Sequence, residues 1–83
     1  MITTQMAKEF ARDLLGTLKT KGYKNTLRTV RDIANIMNIS IDKAIRFIVV
    51  AERNGFMCSD NLKTENYISG FTLYKVWEDN ITV

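Results

Sequence analysis

The side chains best able to do chemistry in this chain are cations on one short stretch. Lys43, Arg46 and Arg53 fall within eleven residues. At about 100° per residue, a helix would turn them to one side together with Asp42 and Val50. Lysine and arginine so placed contact phosphates, and arginine can bridge a guanine edge bidentately. Three more cations, Lys24, Arg28 and Arg31, lie just upstream around Thr29. There, the free N–H groups of a starting helix could meet a phosphate beside them. The bland alternative for each is a solvated surface charge.

Covalent and metal chemistry has little material. The chain has no His, and Cys58 is its single Cys, so zinc fingers, an internal disulfide and His-based catalysis are excluded. Glu9 and Asp13 form a carboxylate pair at i, i+4 spacing, for which a solvated helix face is the expected role. The sequence holds no nucleophile–base pair, Gly-rich phosphate loop or metal-ligand cluster. The expectation is a non-enzyme with no cofactor and no metal.

Size and charge narrow the class. The 83 residues suffice for one small domain, 1–83, with 46% hydrophobic and 25% charged residues, the balance of a globular protein. A core this thin can draw stability from a partner subunit. The net charge of +3 is uneven: residues 1–23 carry +2, residues 24–53 carry +3 and residues 54–83 carry −2. That is a mild pull toward an anionic partner. No apolar run is long enough to span a bilayer, and residues 1–8 lack the order of a secretory signal. A cytoplasmic location without membrane contact is expected.

The elements that must position the cations follow from periodicity. Ala7, Phe10, Ala11, Leu14, Leu15 and Leu18 repeat as one face of a helix over 3–21, capped by Thr3 or Thr4 and stopped at Gly22. Residues 23–28 read as a loop with a short extended stretch at Thr26–Arg28. Thr29 and Asp32 resemble a capping box opening a second helix, 29–38, with core positions Val30, Ile33, Ala34 and Met37. Ser40 caps a third helix, 40–54, with core positions Ala44, Phe47, Ile48 and Ala51. Asn54-Gly55 ends it. Residues 56–77 read as a hairpin: strands at Phe56–Ser59 and Phe71–Trp77 around the polar stretch Asp60–Gly70. Tyr67 and Trp77 are the aromatics expected at the surface, and the last six residues are expected to fray.

The segment from Ile33 to Phe56 resembles the helix-turn-helix of winged-helix transcription regulators. The resemblance rests on the apolar–Ala pair Ile33-Ala34, the turn Met37-Asn38-Ile39-Ser40, and the closing element Ala51-Glu52-Arg53-Asn54-Gly55-Phe56, in register without a gap. Ala34 permits close helix approach, Asn38 tolerates the left-handed backbone of a tight turn, and Ile39 inserts from the turn into the core. The implied fold is mainly α with a β-hairpin: a winged helix-turn-helix of three helices plus a two-stranded wing, with a short third strand near Thr26–Arg28.

That family uses its third helix to read the major groove. The resemblance therefore implies sequence-specific binding of double-stranded DNA by a small dimeric transcription regulator of prokaryotic, viral or plasmid type. Its contacts would come from Lys43, Arg46, Asp42, Val50 and Arg53, with Arg31, Arg28 and Lys24 beside them. The wing tip departs from the pattern: Asp60-Asn61-Leu62-Lys63-Thr64-Glu65-Asn66 offers Lys63 alone against two acids. Ile41, Ile45 and Val49 add an apolar stripe along the third helix. Ile45 and Val49 are candidates for a partner interface if exposed. The competing reading is a winged-helix protein-interaction module that has lost DNA binding and uses this face for a protein partner or a homodimer.

Overall fold

A computed structural model describes residues 1–60 and 72–82. It contains three α-helices, α1 (Thr4–Thr20), α2 (Val30–Met37) and α3 (Ile41–Arg53), and a three-stranded antiparallel sheet formed by β1 (Arg28–Thr29), β2 (Met57–Ser59) and β3 (Leu73–Val76). A 3-10 turn follows at Glu78–Asn80. The expected helix ranges 3–21, 29–38 and 40–54 differ from these only by including the capping residues.

Local chemistry sets every helix boundary. Each helix opens on a hydroxyl that accepts a backbone N–H three residues on: Thr3 from Met6, Thr29 from Asp32 and Ser40 from Lys43. Such caps satisfy donors the helix cannot, at about 1 kcal/mol each. Each helix also closes on the same paired bonds around a left-handed residue. In α1, Gly22 and Tyr23 donate to Lys19 and Leu18; in α2, Asn38 and Ile39 donate to Asn35 and Ala34; in α3, Gly55 and Phe56 donate to Glu52 and Ala51. The left-handed residues are Gly22, Asn38 and Gly55, with φ of 72°, 55° and 74°. Asn38 is the non-glycine among them, and asparagine tolerates the left-handed backbone that the turn between α2 and α3 needs.

The core forms where the apolar faces meet. Ala7, Phe10, Ala11, Leu14, Leu15 and Leu18 of α1 are buried, as are Val30, Ile33 and Ala34 of α2 and Ala44, Ile48 and Ala51 of α3. Small residues at Ala34 and Ala44 let the helices approach closely. Met37 and Phe47, expected in the core, are instead half-buried and pack against its edge. Phe47 lies there because its ring stacks on Phe10, centroids 4.8 Å apart and planes 9° apart.

The sheet has the order β1-β3-β2, so the last strand lies between the other two. Arg28 pairs with Tyr74 and Thr29 with Leu73 on one side; Met57, Cys58 and Ser59 pair with Val76, Lys75 and Tyr74 on the other. The extended stretch expected at Thr26–Arg28 is thus shifted, to Arg28–Thr29. The Asn25 side chain continues the ladder: its Nδ2 donates to the Val76 carbonyl at 2.9 Å, and Val76 N–H donates to its Oδ1 at 3.2 Å. Alternation directs Tyr74 and Val76 inward, where both are buried. Strand bounds are tighter than the expected Phe56–Ser59 and Phe71–Trp77, and the Tyr67 expectation lies outside the described residues.

Among the described residues of the C-terminal end, 78–82, fraying is not what is seen. Ile81 is 2% exposed and part of the core. Arg12 Nη2 donates to its carbonyl at 3.1 Å, Asn80 Nδ2 to the Gly55 carbonyl at 2.7 Å, and Lys19 pairs with Glu78 at 3.1 Å. One apolar side chain entering the core, plus these bonds, offsets much of the entropy of ordering a few residues.

Candidate nucleic-acid interface

The site is built on α3. The Ser40 cap fixes its first turn, and the buried Ala44, Ile48 and Ala51 fix its rotation. What is left outside is set by helical geometry. At about 100° per residue, Asp42, Arg46, Val49 and Arg53 share one outward stripe, with Lys43 roughly a quarter turn away. Asp42, Lys43, Arg46 and Arg53 are exposed. Val50 is half-buried and packs against the core, so it offers little surface to a groove.

Arg46 and Asp42 form an i, i+4 pair at 3.6 Å, their side chains 72% and 84% exposed. A pair so open to water is worth a few tenths of a kcal/mol. It orients the guanidinium without committing it, and a phosphate or base edge could replace the carboxylate. Asp42 suits the positive end of the helix but opposes an anion there.

Around the start of α2, Lys24 and Arg31 are exposed, while Arg28 turns back on its own loop. Arg28 Nη2 donates to the Lys24 carbonyl at 3.1 Å, and the guanidinium lies 5.5 Å from the centroid of the Tyr23 ring. Its Nε is buried without a hydrogen-bond partner among the described residues. Arg28 therefore braces the loop that carries Lys24.

The apolar stripe of α3 divides. Ile45 is half-buried and packs against the core, Val49 is half-buried, and Ile41 is 44% exposed. Trp77 is 45% exposed, Tyr23 50% and Leu27 44%. Tyr74 lies in the sheet between Arg28 and Ser59. Burial first, then the negative charges of Glu52 and Asp60, push its hydroxyl up to about 12. It stays neutral at physiological pH and belongs to the core. Glu52 accepts a hydrogen bond from Ser59 at 3.2 Å, which ties α3 to β2. Lys63 lies outside the described residues.

Sequence reasoning missed one feature. Met6, Phe10, Met37, Ile39 and Phe47 line a hollow of about 270 Å³ between α1 and α3, with Lys43, Glu9 and Asp13 also on its walls. Periodicity assigns most of these residues to the core, and it cannot tell a buried face from the margin of one. Ile2, also unmarked by the pattern, packs against the core. Among the described residues, no group of three or more His, Cys, Asp or Glu could hold a metal ion, and no helix is long and apolar enough to cross a membrane.

The arrangement is suited to non-covalent recognition of an anion: exposed cations on a rigid helix, with further cations at the start of its neighbour. Comparisons with known protein families, with curated proteins and with solved structures find no match to this chain.

Proposed function

We propose that this chain is a winged helix-turn-helix protein that binds double-stranded DNA sequence-specifically, as a homodimeric transcription regulator, with α3 in the major groove. The observation that carries the reading is the exposure of Lys43, Arg46 and Arg53 on the helix that follows the left-handed Asn38 turn. The order helix, short strand, helix, helix, hairpin agrees with the fold that residues 33–56 resemble. Arg46 is the base-reading candidate, since its weak pair with Asp42 leaves the fork available. Lys43, Lys24 and Arg31 are the phosphate contacts, which set register without carrying sequence information.

Fluorescence anisotropy of a labelled duplex, at several salt concentrations, tests this. Three phosphate contacts per copy, six in the dimer, correspond to a slope of about −5 in log K against log salt. The Lys43→Ala/Arg46→Ala variant should bind at least about tenfold more weakly, as expected for losing a bidentate base contact. No binding at low salt, or binding indifferent to salt, would overturn the reading.

The protein-interaction alternative is favoured by one observation, the exposed Ile41 beside the half-buried Ile45 and Val49. It calls for a complex that survives high salt and is lost in Ile41→Ser/Val49→Ser, with DNA binding absent throughout.

A further inference from the structure

The groove between α1 and α3 has the character of a contact surface. Its floor is the stacked pair Phe10 and Phe47, flanked by Met6, Met37 and Ile39. Met6 is 40% exposed, and Met37, Ile39 and Phe47 are half-buried. Past Met6 and Phe47 the groove continues into a second hollow of about 350 Å³, reaching Ser40, Asp42, Lys43 and Arg46. Methionine and aromatic side chains left open at a helix–helix seam adapt to an apolar partner at low cost in order. Both hollows are open at the surface, whereas a pocket that holds an organic ligand encloses most of it.

The rims carry opposite charge. In the first hollow Glu9 and Asp13 of α1 stand opposite Lys43 of α3; Arg46 lines the second, together with Asp42 and Met1. A two-fold axis lying along such a groove makes it self-complementary. The acidic rim of one copy meets the basic rim of the other, and the same contact repeats on the far side of the axis. A foreign partner would need this pattern in reverse, whereas a second copy carries it already.

We propose that this groove is the self-association surface, and that its occupant is the α1–α3 seam of a second copy of this chain, packed about a two-fold axis. Met6 and Phe47 of each copy meet at the centre, and Glu9 and Asp13 of each face Lys43 and Arg46 of the other. Val49 and Arg53 line neither hollow, so the pairing leaves that part of the outward stripe open while it covers Lys43 and Arg46. A rim that faces a second copy cannot also face a duplex, so this pairing and the use of Lys43 and Arg46 on DNA exclude each other. The test contains no nucleic acid, and a dimer that binds DNA through these two side chains would overturn the pairing alone.

The test is sedimentation equilibrium on the whole chain, with two charge-reversed variants, Glu9→Lys/Asp13→Lys and Lys43→Glu/Arg46→Glu. Wild type should dimerise, and each variant alone should do so at least about tenfold more weakly, because like charges then face each other across the axis. An equimolar mixture of the two variants should recover dimers as tight as wild type or tighter, since both rim contacts are then complementary. Circular dichroism confirms that each variant folds; if a double variant does not, the single changes Asp13→Lys and Lys43→Glu replace it. A wild-type monomer at millimolar concentration, variants that dimerise as wild type does, or a mixture that stays monomeric would each overturn the proposal. So would a monomeric chain whose groove takes up a small apolar ligand or a foreign helix.

Discussion

Residues 29–56 and residues 72–82 share one core, but they are held in different ways. In the first region, each element carries its own instructions. Thr29 and Ser40 cap the helices they precede, and Asn38 and Gly55 end the helices they follow, through bonds that span at most five residues. In the second region almost nothing is local. β3 is the middle strand, held by Arg28–Thr29 on one side and Met57–Ser59 on the other. Ile81 is anchored by Arg12, 69 positions away. Local bonds form within a few residues at little loop-closure cost, whereas the second region gains its contacts only after the rest of the chain has assembled.

The largest effect that could break this contrast is at the C-terminal end. Ile81→Ala should destabilise the fold by roughly 2–4 kcal/mol, the usual cost of emptying a core site, read as a lower denaturant midpoint with unchanged m-value. A change within about 0.5 kcal/mol would mean that the terminal residues contribute as a frayed tail does.

Asn25→Ala comes next. It removes both bonds to Val76 and leaves two backbone groups beside β3 to find water, a loss of about 2 kcal/mol. Hydrogen exchange should show the Val76 amide losing protection while α3 keeps its own. Equal loss in both would mean that the two regions open as one unit.

A matched pair of glycine substitutions sharpens the comparison further. Gly22 and Gly55 have nearly the same left-handed φ, 72° and 74°, so an alanine strains both by about 1 kcal/mol. A Cβ on Gly22 meets nothing within 4 Å, whereas one on Gly55 would lie 3.3 Å from Asn80 Nδ2. Gly55→Ala should therefore cost more than Gly22→Ala, and combination with Asn80→Ala should abolish the excess. Thermal unfolding of the four variants measures it.

The smallest effect appears only in alkali. The Tyr74 hydroxyl is raised from 10.0 to about 12 by burial, then by Glu52 and Asp60. The folded chain thus holds this proton more tightly than the unfolded one. Its contribution to stability is complete below pH 10 and is lost as pH rises through about 12. Tyr74→Phe should flatten the decline in unfolding midpoint across that window. An unchanged decline would assign it to other groups.

What could be read from the residues follows the same division. Helix existence, caps and stops were legible because a hydroxyl, an asparagine or a glycine acts within one turn of its own position. The inward faces of α1, α2 and α3 were legible because burial follows the 3.6-residue period. The burial of Ile81 was not, since one isoleucine among polar neighbours has no period. The Asn25–Val76 pairing spans 51 positions and gives no local sign. Of the candidate interface, the residues facing outward on α3 could be read from helical geometry. Arg28 bracing its own loop could not, because that depends on how Tyr23 and Lys24 fold back beneath it.

By itself, then, the sequence determined the three helices, their ends, the sides they bury and the gathering of cations on the third. These depend on short-range hydrogen bonding and on a fixed rotation per residue. Tertiary structure alone decided the sheet order β1-β3-β2, the seating of Ile81 in the core, and the groove between α1 and α3 with acids on one rim and bases on the other. Each of those arises where segments distant in the chain meet, and their meeting is set by how the whole core packs.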